Sequence, residues 1–241
     1  MRGNASAASS AQLAPNRLGR QFTPGTGPSA WVGDITYVAT RQGWLHLAVV
    51  ISVQTRQVLG YSVSERMTED VVLKAFANAW ALHPQPPGLI FHSDRGGQYW
   101  GNEYRQLLES CKVVQSMSRP GNCWDNAVAE SFFATLKAEE AADPYVSREK
   151  ASQSIAAYIH GFYNPARLHS SLGYQSPNTH ARQLKAPACT RLIAFAFRVP
   201  EPPPPQPAPP PLSLFPAAVG TRCPRAVRPV ARPRSPVSEE P

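Results

Sequence analysis

Three acidic residues occupy related local settings. Asp34 lies inside the β-branched run "VGDITYV", Asp94 ends the apolar run "LIFHSD", and Glu130 lies within the helical pattern "NAVAESFFATLK". A carboxylate in or beside a buried strand is tolerated when it is paired, hydrogen-bonded or metal-bound. Taken singly, each has an ordinary reading: Asp34 as a bulge or edge residue, Asp94 as a turn residue, Glu130 as a solvated helix position. Taken together they allow a different chemistry. Two strand aspartates and one helix glutamate can converge at one end of a sheet and offer oxygen ligands to hard divalent cations. Mg²⁺ keeps several waters and takes one or two carboxylates plus substrate phosphate oxygens, so three sparse carboxylates suit it better than a closed cage. Two such ions about 4 Å apart activate a nucleophile and stabilise the leaving oxygen of an in-line phosphodiester displacement.

The helix adds a cation. Glu130, Phe133, Ala134 and Lys137 fall at i, i+3, i+4 and i+7, so the glutamate and the lysine share a face two turns apart. They are too distant to neutralise each other, and a lysine so placed can hold a DNA phosphate. Phe132 reads as core.

The elements that must position these residues follow from hydrophobic periodicity. "WVGDITYV" and "GWLHLAVVISVQTRQVLGYSVS" give three antiparallel strands, the last two joined through the polar turn at Gln54–Thr55–Arg56. Residues 67–84 form a helix with Thr68 at its N-cap and an apolar stripe of Val71, Val72, Ala75, Phe76 and Ala79. A strand over 88–93, a helix over 102–111 and a strand over 112–118 come next. Helices over 123–142 and 147–164 follow, the first with Asp125 near its start, where the helix dipole favours an acid. Five strands and several helices in this order make a mixed-sheet α/β or α+β layer fold.

Composition bounds the rest. The net charge of +8 favours an anionic partner such as nucleic acid, although half of it lies in residues 187–241, with seven Arg against three Glu. Those 55 residues hold 16 of the 26 prolines and no lysine or histidine, a composition for a disordered, polyproline-rich tail. Residues 1–30 lack apolar periodicity and read as a disordered leader or linker, with order beginning near Trp31. Cys111, Cys123, Cys189 and Cys223 have no CxxC spacing, which favours unpaired thiols over zinc or disulfides. No apolar run reaches ~18 residues and no signal-peptide core follows Arg2, so neither a membrane partner nor secretion is expected, and a cytoplasmic location is.

Four ordered stretches carry a resemblance: "WVGDITYV", "HSDRGGQY", "SMSRPGNCWDNAVAESFFATLKAE" and "YIHGFYNPARLHSSLGYQSP". With 35 residues between Asp94 and Glu130, the chain resembles the insertion-sequence transposases that share a catalytic core with retroviral integrases, within the ribonuclease H-like superfamily. The resemblance covers about residues 31–178. It implies a ribonuclease H-like mixed five-stranded sheet flanked by helices: a catalytic core over 31–142 and a helical extension over 143–186, between the leader at 1–30 and the tail at 187–241. It also implies a polynucleotidyl transferase in which Asp34, Asp94 and Glu130 bind two Mg²⁺, with Mn²⁺ able to substitute, to nick element ends and transfer the strand to target DNA. Arg119, Asn122, Asn126, Lys137, Arg167 and His169 would lie against DNA. Bottom-up, Arg167 suits a phosphate contact, while His169 is equally readable as a structural hydrogen-bonding residue.

The implied partners are element-end and target DNA, further copies of the chain in a synaptic complex, and an upstream helix-turn-helix protein or fused frame. The expected setting is the bacterial nucleoid. The alternative is a truncated, inactive remnant that binds DNA non-specifically.

Overall fold

A computed structural model of the chain describes residues 13–185. The proline-rich tail lies outside them.

Five strands form one sheet in the order β3-β2-β1-β4-β5. The three opening strands, β1 (Ala30–Thr40), β2 (Gly43–Ser52) and β3 (Val58–Ser64), are antiparallel, while β4 (Ile90–Ser93) runs parallel to β1 and β5 (Val114–Met117) parallel to β4. The long first strand is therefore central. Its side chains alternate between two cores, as the two-residue period of a strand requires. Ala30, Val32 and Val38 join Leu47, Val49 and Ile51 of β2 against the helices α3 (Ala127–Glu139) and α4 (Arg148–Ala157), through Phe132, Phe133, Leu136 and Ile155. Trp31 joins Ala48 and Val50 on the opposite face against α1 (Glu69–Leu82) and α2 (Asn102–Ser110), through Phe76, Tyr104 and Leu108. Both faces are covered, which is why β2 reads as an unbroken apolar run.

Two glycines permit this packing. A Cβ at Gly33 would stand 2.5 Å from the Phe91 ring, and Gly60 lies directly under the α1 backbone at Ala75 and Ala79. Thr68 does precede α1 in extended conformation, but its side chain makes no capping hydrogen bond. Ser147 does cap α4, accepting from Lys150 N–H at 3.0 Å. The pattern read as one helix over 123–142 divides into a 3₁₀ turn at Cys123–Asn126 followed by α3, and α4 continues as a π-helical segment over Tyr158–Tyr163. The last described helix is α5 (Pro177–Lys185).

Order does not wait for Trp31. Residues 13–29 are irregular in backbone yet packed on the domain, with Leu18 fully buried in the core that α3 and α4 cover. Their polar composition hides this: Leu18 and Phe22 pack on the core while hydrogen bonds reach Ser116, Asn122 and Asp125. At the other end, the Asn164 carboxamide finishes the edge of β3, accepting from Val58 N–H at 3.0 Å and donating to Val58 C=O at 2.9 Å. The block after the π-helical segment is thereby docked on the sheet.

Candidate active site

β1 and β4 are parallel with Trp31 paired to Phe91 and Val32 to His92. Carried two residues on, that register brings Asp34 level with Asp94. Asp34 shares the face of Val32 and Val38, the face that α3 covers. Asp94 is the first residue past β4, and its Oδ1 accepts from Gly96 N–H at 2.9 Å, closing the turn that leads the chain away. Glu130 is in the first turn of α3 and exposed.

The three carboxylates line one open cleft of about 450 Å³, together with Arg95, Ser118, Asn122 and Asn126. They also act on one another. Burial first, then the Asp94 charge and the Glu130 charge push the Asp34 carboxyl up to about 7, against the Ile35 N–H and the Asn126 side chain, which pull it down. Among the described residues no three His, Cys, Asp or Glu side chains are close enough to hold a metal ion as they stand. The cleft thus gathers the acids without drawing them into a ligand cage.

Its donor set nevertheless suits a hard cation. The acids offer oxygen only, like charges crowd Asp34, and Asn126 adds a buried carboxamide whose oxygen has no hydrogen-bond partner. A divalent cation would offset each of these.

The residues expected to meet DNA fall into three groups. Asn122 and Asn126 line the cleft. Arg119 lines it too, but its guanidinium is committed to Asp125, with Nε to Oδ2 at 2.9 Å and Nη2 to Oδ1 at 2.8 Å. Lys137 is exposed on α3, outside the cleft lining. Arg167 and His169 instead border a separate cavity of about 530 Å³ beside Arg56 and Tyr163. Arg167 pairs with Glu139 at 2.8 Å, and Glu139 also accepts from the Tyr158 hydroxyl at 2.6 Å. His169 packs edge-on against Tyr163, and burial with the Arg167 and Arg56 charges pushes its imidazole down to about 4. A neutral, half-buried imidazole offers a phosphate no charge.

Several residues that shape the cleft have no distinctive sequence pattern. Asp125 is the first. Rather than capping α3, its buried carboxylate accepts from Asn16 Nδ2 (2.9 Å), Arg20 Nε (2.6 Å) and the Arg119 backbone N–H (3.0 Å), besides the Arg119 guanidinium. These donors, led by Arg119, hold it well below the usual carboxylate range. His92 is the second. It is fully buried between Ser116 Oγ, 2.8 Å from Nδ1, and Ser118 Oγ, 3.2 Å from Nε2. Ser116 Oγ already accepts from Arg17 and Leu18 N–H, so its proton goes to Nδ1 and the imidazole proton sits on Nε2. Burial pushes His92 down to about 4, so it is neutral.

Known proteins share parts of this sequence and this fold. Two descriptions of an integrase core domain match the chain, over residues 27–123 and 111–177. The chain is 45% identical over 166 residues to the uncharacterized 31 kDa protein of insertion element IS600 from Shigella sonnei, covering 68% of this chain and 61% of that protein. It is 43% identical over 165 residues to the transposase of IS904 from Lactococcus lactis, covering 68% and 65%, and 40% identical over 166 residues to transposase InsF of IS3 from Escherichia coli, covering 68% and 58%. The chain therefore spans about three-fifths of the length of these relatives. In fold it is similar to a chain of the simian T-cell lymphotropic virus intasome in complex with PP2A regulatory subunit B56 gamma, with TM-score 0.55 and 17% identity over 73% of this chain and 60% of that one. It is also similar to the HTLV-2 integrase catalytic core domain in complex with magnesium, with TM-score 0.50 and 14% identity over 65% of this chain and 97% of that one. The two integrase-core matches together cover residues 27–177, and with the insertion-element relatives they show that this chain belongs to the insertion-sequence transposases with a retroviral-integrase-type core.

Proposed function

We propose that the chain is the catalytic portion of a transposase that nicks the ends of its element and joins the freed 3′ ends to target DNA. One observation carries this reading: Asp34, Asp94 and Glu130, from three separate elements, line a single open cleft. In the first reaction a water oxygen bonds to phosphorus and the 3′ oxygen leaves with a proton. In the second, that 3′-hydroxyl oxygen bonds to a target phosphorus and displaces the target's own 3′ oxygen. Two Mg²⁺ ions, or Mn²⁺ in their place, supply nucleophile activation and charge neutralisation when bound. The chain's own residues do the placing.

Asp34, Asp94 and Glu130 would hold the ions, with the Asn126 carboxamide beside them. Asp34 is fixed by the central strand, so its position is set by the sheet rather than by a loop. Asp94 is oriented by the Gly96 N–H, and the turn that this bond closes keeps the cleft open on the DNA side. Asn122 offers a neutral hydrogen bond to phosphate or sugar through its amide nitrogen, and Lys137 offers a charge along α3. The same reading extends to partners: element-end and target DNA, further copies of the chain in a synaptic complex, and helix-turn-helix material for end recognition. A cytoplasmic, nucleoid-associated setting goes with those partners, and no helix among the described residues is long and apolar enough to cross a membrane.

The test is to incubate the chain with an oligonucleotide carrying the element end. A nick leaving a 3′-hydroxyl, present with Mg²⁺ and absent with EDTA, supports the reading. Binding with no nick in either Mg²⁺ or Mn²⁺ leaves the DNA-binding remnant as the better description.

A further inference from the structure

The stretch Asn16–Arg20 touches the cleft's framework at two points. Arg20 donates to Asp125 Oδ1 and, through Nη2, to Asn122 Oδ1 at 2.6 Å, while Asn16 donates to Asp125 Oδ2. Asn16 Oδ1 accepts from Gly19 N–H at 2.9 Å, which closes the segment on itself. Asp125 in turn grips Arg119 by both its backbone N–H and its guanidinium, so one buried carboxylate ties together the two ends of the loop 119–125. Arg119, Pro120, Gly121 and Asn122 of that loop are cleft wall.

The second point of contact is Ser116. Its hydroxyl accepts from Arg17 and Leu18 N–H and meets His92, whose other nitrogen meets Ser118 Oγ. Ser118 Oγ donates to Ser93 C=O at 3.3 Å, one residue before Asp94, and Ser118 C=O accepts from Arg95 Nε at 2.7 Å, one residue after it. A line of hydrogen bonds thus runs from the N-terminal segment to both neighbours of a cleft carboxylate.

Burying Asp125 costs desolvation that its partners must offset, and a loop rich in glycine and proline could be surface-exposed without any of them. We propose that Asn16 and Arg20, acting through Asp125, are positioning residues of the cleft: the N-terminal segment is a brace that fixes the 119–126 wall relative to Asp94 and Glu130. The catalytic consequence rests on the transposase reading above, whereas the brace itself does not.

The experiment uses the full chain with Arg20→Ala, Arg20→Lys and Asn16→Ala, and reads two quantities. Arg20 is 41% exposed at its side chain, so its removal leaves the core intact. Amide hydrogen exchange needs no DNA. Arg20→Ala should speed exchange over residues 119–126 by about 10- to 100-fold, as the loss of charge-assisted hydrogen bonds implies, with β1–β3 amides unchanged and Arg20→Lys intermediate. Asn16→Ala should act in the same place, more weakly. Where the oligonucleotide is nicked by the wild type, Arg20→Ala should lower turnover at saturating DNA by roughly 10- to 100-fold with half-saturation unchanged, the signature of misplacement rather than lost binding. Unchanged exchange over 119–126 would overturn the brace, and so would a uniform rise across the sheet, which would make the contact one of global stability. An inactive wild type sinks the transposase reading and leaves the exchange test of the brace standing.

Discussion

Asp34 and Asp94 stand level on neighbouring parallel strands, in the register that pairs Trp31 with Phe91. One is held inside a long central strand, while the other is released at the end of a short one. The difference in strand length sets their environments. Asp34 is half-buried and pushed up to about 7, with Asp94 the largest charge acting on it.

That shift predicts a pH dependence in metal-free protein. Asp34 has a folded value near 7 against 3.8 in the open chain, so the folded state holds its proton where the unfolded chain has lost it. Its contribution to stability is full below about pH 4 and is lost as pH rises through about 7, at up to about 1.4 kcal/mol per unit. Thermal melts in EDTA should show Asp34→Asn equal to wild type at pH 4 and more stable at pH 8. Mg²⁺ should raise the wild-type melting temperature at pH 8 and leave that of Asp34→Asn nearly unchanged. A variant less stable than wild type at pH 8 in EDTA would remove the carboxylate crowding.

His92 acts with the opposite sign. Its folded value of about 4 lies below the ordinary 6.5, so its contribution is lost as pH falls from about 6.5 towards 4. The two groups offset each other in the wild type over the same interval. In Asp34→Asn the acid-side loss is unmasked, and EDTA melts of that variant should fall by several degrees between pH 6.5 and pH 4.5. A flat profile would contradict a neutral, buried His92.

The two basic residues beyond the triad should separate in salt titrations of DNA binding. Lys137→Ala should reduce the slope of log K against log salt by about 1, as the loss of one phosphate contact requires. Arg167→Ala should leave the slope unchanged and lower the melting temperature, because Arg167 is engaged by Glu139. A slope change with Arg167→Ala and none with Lys137→Ala would reverse the assignment.

Asn164 is predicted to be structural. Asn164→Ala strips the Val58 N–H and C=O of their partners and should cost about 1–3 kcal/mol in urea unfolding. Nicking per folded molecule should not change. Loss of nicking at full stability would place this residue in the site instead.

The sheet was legible because its signals are local. β-branched runs gave the strands, and the 3.6-residue stripe of Val71, Val72, Ala75, Phe76 and Ala79 gave α1 and its buried face. That Asp34, Asp94 and Glu130 meet in one cleft was legible from an acid inside a β-branched strand, a second at a strand end and the family resemblance that the 35-residue interval carries. What stayed hidden was long-range and polar. Asn16, Arg20 and Asp125 are unremarkable one by one, and their partnership spans more than a hundred residues of chain. Arg119 and Arg167 were expected against DNA, and no local pattern reveals their ion pairs with Asp125 and Glu139.

The most direct test compares wild type with Glu130→Gln in a strand-transfer assay on pre-nicked element-end DNA with Mg²⁺. Glu130 is exposed, so the exchange of one oxygen for an amide leaves folding and salt-sensitive DNA binding intact. The predicted result is strand transfer by the wild type and none detectable by Glu130→Gln at equal DNA occupancy. Equal strand transfer by both proteins would remove Glu130 from the chemistry and contradict the three-carboxylate site.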